Sequence, residues 1–148
     1  MARPKREATY PAQAGGLRGA PLIGERARSE LEYVQRVEEG LPAAAIDHLM
    51  EVAGLSENEM DRVIPRRTRS RQRKRGRLSS EQSDRIARAA DVYALAFHVF
   101  GDRQKAKDWM REPNVSLGGD APLDLLRTAS GAGLVENILL RIAHGVYT

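Results

Sequence analysis

Apolar residues along this chain recur at helical spacing. Leu31, Val34 and Val37 follow Ser29, a good N-cap, and predict a helix through about Glu38 that Gly40 ends. Ala45, Ile46, Leu49, Met50 and Ala53 share one face of a second helix, with Pro42 suited to its first position and Gly54 to its cap. Ser56 and Glu59 have capping-box spacing and open a third, short helix bearing Met60, Val63 and Ile64. After Pro65, residues 66–74 hold no apolar side chain, and Gly76 ends that stretch. Ser80 then caps a long helix to about Phe100. Ile86, Ala89, Ala90, Tyr93, Ala96, Phe97 and Phe100 form its stripe, and Val92, Leu95 and Val99 widen it until more than one side is buried.

Asp102 caps the next helix, to about Glu112, and Pro113 to Ala121 reads as a loop. Pro122 starts a short helix through Thr128, Gly131 and Gly133 break the chain, and a last helix spans about Leu134 to His144. Residues 1–24, with Pro4, Pro11, Pro21 and four glycines, show no periodicity and read as a flexible tail. The expected fold is all-α: a helix-turn-helix domain over residues 25–78, followed by a small helical domain over 79–148.

Composition removes several function classes. There is no cysteine, so disulfides, thiolate metal sites and a Cys nucleophile are excluded. The three histidines, His48, His98 and His144, form no ligand pair, and neither a Gly-x-Ser-x-Gly motif nor a carboxylate pair marks an enzyme. No metal, cofactor or catalytic residue is expected. Gly118-Gly119 lacks the Lys and Ser of a phosphate loop and reads as a turn. Trp109 with Tyr93, Phe97 and Phe100 reads as core. With neither a leader-like run nor a span-length apolar stretch, the expected location is the cytoplasm.

Charge changes the picture most. Residues 62–77 hold nine Lys and Arg and no acid, while the rest of the chain carries 15 basic against 20 acidic residues. A chain of net charge +4 that is acidic everywhere outside one concentrated basic block is built to meet a polyanion locally. The candidate DNA-binding residues are Arg66, Arg67, Thr68, Arg69, Ser70, Arg71, Gln72, Arg73, Lys74 and Arg75. Arginine forks bond guanine O6 and N7 together and also neutralise phosphates, and the interleaved Thr, Ser and Gln donate to phosphate or bases. Two registers arise. In one, residues 56–64 read the groove, although Glu57, Glu59 and Asp61 would face DNA. In the other, favoured by charge sign, that helix supports and residues 66–75 enter the major groove.

Residues 102–145 carry an ordered set of words: Trp109, Pro113-Asn114, Leu117-Gly118-Gly119, Pro122, Leu125-Leu126, Thr128, Gly133, Val135, Leu139 and Gly145. Ahead of them stand Arg67-Thr68, Gly76-Arg77-Leu78-Ser79, Ser83-Asp84-Arg85 and Arg88. Over residues 30–146 this resembles the Xre/MbcA/ParS antitoxin family. The resemblance implies an Xre-type antitoxin of a RES–Xre toxin–antitoxin module. Such a protein neutralises a cognate RES-type, NAD-degrading toxin and represses its own promoter at operator DNA. The 79–148 region then serves toxin binding and dimerisation.

A final helix ending in a narrow projection is shaped to plug an enzyme cleft. Candidate toxin-binding residues are Asn114, Arg127, Arg141, His144, Gly145, Val146, Tyr147 and Thr148. Asn114 also suits a turn, bonding its own backbone. A homodimer is expected because helix-turn-helix proteins read paired half-sites, with the helices near 80–100 and at the C-terminus as candidate interfaces and a higher-order toxin–antitoxin complex as the product. The competing reading is a stand-alone dimeric repressor with no toxin partner.

Overall fold

The computed structural model describes residues 18–145. It begins with a 3-10 turn at Ala20–Ile23, followed by helices α1 (Glu30–Glu39), α2 (Ala44–Ala53), α3 (Glu57–Met60) and α4 (Arg66–Arg75). Helices α5 (Ser80–Phe100), α6 (Arg103–Arg111) and α7 (Ala129–Ala143) complete it, with 3-10 turns at Val115–Leu117 and Pro122–Leu125 between the last two. Among the described residues no strand forms, as the helical spacing predicted, and the expected all-α class is what the chain adopts.

Local signals place most helix starts. Ser29, Ser56, Ser79, Asp102 and Thr128 each accept an amide of the first turn, satisfying donors that the helix itself leaves open. The Ser56–Glu59 capping box closes in both directions. The long helix α5 is the axis of the fold. Its buried Ile86, Ala89, Val92, Tyr93 and Leu95 point in several directions, and α1, α2, α6, α7 and the first turn all pack against it. The buried residues form one continuous cluster from Ala20 to Leu139. Each fully buried Leu or Ile in it contributes about 1.5–3 kcal/mol. The two halves of the chain therefore share a core.

Five boundaries differ from the sequence reading. Residues 18–24, expected within a flexible tail, are packed: Ala20 and Ile23 are buried, and the Gly19 amide donates to Asp91 Oδ1 at 2.9 Å. A Cβ on Gly19 would lie 2.5 Å from the Ala90 backbone carbon, so this close approach requires glycine. Residues 1–17 and 146–148 lie outside the described residues. Pro42 does not open α2. It bridges antiparallel to Arg77, with Leu78 N donating to Leu41 O at 2.8 Å and Ala43 N to Gly76 O at 3.1 Å, and α2 starts at Ala44.

Ser79, not Ser80, caps α5, and the helix after Pro122 is a single 3-10 turn ending at Leu125. Helix α7 begins at Ala129 and runs through both glycines that were expected to break it. Gly131 is there for space: a Cβ would sit 2.1 Å from the Leu125 carbonyl oxygen.

Candidate nucleic-acid interface

Helix α4 has no apolar residue, so it cannot attach to the core by the hydrophobic effect. It attaches through two buried polar side chains one turn apart, Arg69 and Gln72. Arg69 is 0% exposed. Its Nη1 donates to Asp61 Oδ1 and to the Ile64 carbonyl, each at 2.6 Å, and its Nη2 donates to Glu57 Oε2 at 2.7 Å and to the Glu57 carbonyl at 3.3 Å. Gln72 Oε1 accepts the Ser79 amide at 2.6 Å, tying α4 to the start of α5.

These anchors settle which face turns outward. Arg67, Ser70, Arg71 and Lys74 stand at i, i+3, i+4 and i+7, opposite Arg69 and Gln72, and all four are exposed. Arg66 is exposed at the edge and pairs with Asp61 at 3.2 Å and with Asn58 at 3.1 Å. Arg73 reaches Asp47 at 2.8 Å. Thr68 is half-buried, and Arg75 is exposed beside Gly76. Arg67, Arg71, Lys74 and Arg75 have no ion pair within the described residues. A shallow depression where α4 meets α3 is lined by Glu57, Arg66, Ser70, Arg73 and Lys74.

Of the ten residues singled out in the sequence, eight thus reach the surface to some degree. Arg69 and Gln72 are turned inward and hold the helix. The acids of α3 and the residue after it find partners here as well. Glu57 holds Arg69, Asp61 holds Arg69 and Arg66, and Glu59 holds Arg111. The hydrogen bond from Arg69 holds the Glu57 carboxyl below the ordinary range, and the bond from Arg111 does the same for Glu59. The signal was legible in principle. Glu57 and Asp61 lie one turn apart, as do Arg66 and Arg69, which is the spacing of two facing rows.

At the other end of the chain, Arg141, His144 and Gly145 are exposed together at the close of α7. Val146, Tyr147 and Thr148 lie outside the described residues. Arg127 is exposed ahead of α7. Asn114 belongs to the loop after α6, where its Oδ1 accepts the Ser116 amide at 2.9 Å, the turn role its sequence context suited. Sequence reasoning missed two exposed apolar residues of this half, Val115 and Leu134. Tyr93 is buried in the core, while Phe100 and Trp109 pack on each other at its edge, 5.6 Å between ring centroids. No helix among the described residues is long and apolar enough to cross a membrane.

Known proteins fit both halves. Residues 32–91 match the family model described as the antitoxin Xre-like helix-turn-helix domain, and residues 95–145 match the antitoxin Xre/MbcA/ParS C-terminal toxin-binding domain. An Antitoxin Xre of Pseudomonas putida is 37% identical over 118 residues, covering 79% of this chain and 74% of that protein. An Antitoxin Xre of Photorhabdus laumondii is 35% identical over 112 residues, 73% and 76% of the two chains. A third, from Yersinia enterocolitica, is 35% identical over 130 residues, 85% and 88%. The chain belongs to the Xre antitoxin family of toxin–antitoxin systems, with a helix-turn-helix domain followed by a toxin-binding domain.

Proposed function

We propose that this antitoxin represses its own promoter by laying α4 in the major groove of operator DNA. In the same reading it neutralises its cognate toxin, an NAD-degrading enzyme of RES type, by covering the toxin's active site. The observation that carries the DNA reading is the outward face of α4. Arg67, Ser70, Arg71 and Lys74 form one exposed stripe whose cations have no acid partner among the described residues. Such a stripe serves phosphates and guanine edges alike. Arg66, Thr68, Arg73 and Arg75 flank it and suit the phosphate backbone. Arg69 and Gln72 act from behind, fixing the helix. Helix α3 is then the support helix, because its acids are engaged in holding α4 and α6.

Toxin contact is assigned to the end of α7, with Arg141, His144 and Gly145, and to the Val146, Tyr147 and Thr148 that follow. Arg127 adds a charged contact, and Asn114 shapes the loop after α6. A plug of this kind needs shape and a few anchors. A cytoplasmic homodimer on paired half-sites, joined by toxin in a larger complex, completes the reading.

Salt titration tests the DNA half. With a duplex carrying the promoter region of its own gene, log affinity should fall steeply with log salt. Each neutralised phosphate contributes about 0.9 to that slope, so Arg67→Ala with Arg71→Ala should lower it by about 2 per protomer. A flat plot for the unmodified protein would reject the interface. Deletion of residues 146–148 tests the toxin half. Growth rescue from the protein encoded beside the gene should be lost, and full rescue by the shortened chain would discard occlusion by the tail.

A further inference from the structure

The toxin-binding domain reaches across and grips the turn between α2 and α3. Lys107 and Arg111 are one helical turn apart on α6 and straddle Gly54, the residue that caps α2. The Lys107 side chain lies against Gly54, 3.5 Å from where a Cβ would stand. Arg111 Nη2 donates to the Gly54 carbonyl. The same guanidinium meets Glu59 side on, Nε to Oε2 at 2.6 Å and Nη2 to Oε1 at 3.1 Å. Glu59 Oε1 also accepts the Ser56 amide at 3.0 Å, which closes the capping box of α3. One arginine of α6 thus holds the end of α2 and the start of α3 together.

A second pair lies beyond α3. Arg62 meets Asp124 Oδ1 at 2.9 Å, while Asp124 Oδ2 accepts the Ala121 amide at 3.2 Å. Both carboxylates therefore fix a helix start and an arginine from the other family domain. Arg111 and Glu59 are partly withdrawn from water, at 34% and 20% side-chain exposure. Their bidentate geometry is also the stronger kind, so this pair outweighs an ordinary surface contact. The chain of contacts then continues to α4, because Arg69 holds Glu57, Asp61 and the Ile64 carbonyl. Motion of α3 against α6 must carry α4 with it.

We propose that α6 and the 122–125 turn position the helix-turn-helix, with Arg111 and Asp124 as positioning residues that set the presentation of α4. As to what α4 then contacts, this inference rests on the DNA-binding reading above. By linkage, a toxin that shifts α6 or the 122–125 turn alters DNA affinity, and DNA alters toxin affinity by the same factor.

Two readouts on the full chain test it, amide hydrogen exchange and duplex affinity. Arg111→Met should speed exchange across residues 57–75 roughly tenfold and leave α7 protected, within the usual span of coupling between sites. It should weaken binding to the promoter duplex by a similar factor with an unchanged salt slope, since no phosphate-facing cation is removed. Glu59→Gln keeps the capping box, and combining it with Arg111→Met should add little to the single change. Wild-type exchange in the variant, an even loss of protection in all helices, or additive effects of the two substitutions would overturn the proposal. Should the unmodified protein fail to bind the duplex, the DNA reading falls, and the exchange pattern alone decides the clamp.

Discussion

Replacing Arg69 with Met isolates what holds α4. The substitution keeps most of the buried volume and removes four polar contacts, two to carboxylates and two to carbonyls. Hydrogen bonds to charged groups contribute about 1.5–3 kcal/mol each when buried. Two features reduce the total. Glu57 and Asp61 are 53% and 35% exposed, so both return to water rather than staying buried and unpaired. Arg69 Nε is buried with no partner, and its removal recovers about 1 kcal/mol. The net loss should be about 2–3 kcal/mol, or roughly 5–10 °C in Tm for a chain of this size. Guanidinium titration followed by circular dichroism measures it, with Arg67→Met as the exposed control expected to change stability by under about 0.5 kcal/mol. Equal losses for the two variants, or a loss below about 1 kcal/mol for Arg69→Met, would refute the argument that a buried guanidinium anchors this helix.

Two further outcomes follow from other parts of the fold. Asp91 lies mostly buried beneath the Gly19 amide, and burial pushes its carboxyl up to about 6. Its proton is held more tightly folded than unfolded, so this contribution to stability is full below the usual carboxylate range and is lost as pH rises through about 6. Asp91→Asn removes this titration, so wild type measured against the variant should lose about 2–3 kcal/mol between pH 4 and pH 8 in chemical denaturation, and an unchanged difference across that range would contradict the assignment. Gly131→Ala places a methyl group against the Leu125 carbonyl and should lower stability by over about 2 kcal/mol. Gly133→Ala, with open space at its Cβ, should raise it by up to about 1 kcal/mol, and thermal melts of the pair separate sterics from helix propensity.

Patterns confined to one helix were readable from the residues. The Ser56–Glu59 box, the Asp102 cap and the wide apolar surface of α5 all act within a few turns, and each stands where its spacing placed it. The basic run was legible as a helix between Pro65 and Gly76. What residue spacing alone did not resolve depended on contacts between distant segments. Gly131 looks like a breaker until the Leu125 carbonyl crosses beside it. Pro42 looks like a helix start until Arg77 pairs with it. Arg69 is indistinguishable in type from its neighbours, and only the facing carboxylates of Glu57 and Asp61 turn it inward. The family itself was legible in the ordered Trp, Pro-Asn, Leu-Gly-Gly and Leu-Leu words of the second half, all of which fall inside the residues that match the toxin-binding domain.

Separation of the two surfaces is the most direct test of the account. A strain carrying the promoter fused to a reporter, and expressing the protein encoded beside the gene, is supplied with the Arg67→Ala, Arg71→Ala, Lys74→Ala chain. These side chains are exposed and are not among the ion pairs that make the Arg69 anchor or the Arg111 clamp. Reporter repression should be lost while growth rescue is kept. Retained repression, or loss of rescue together with repression, would contradict it.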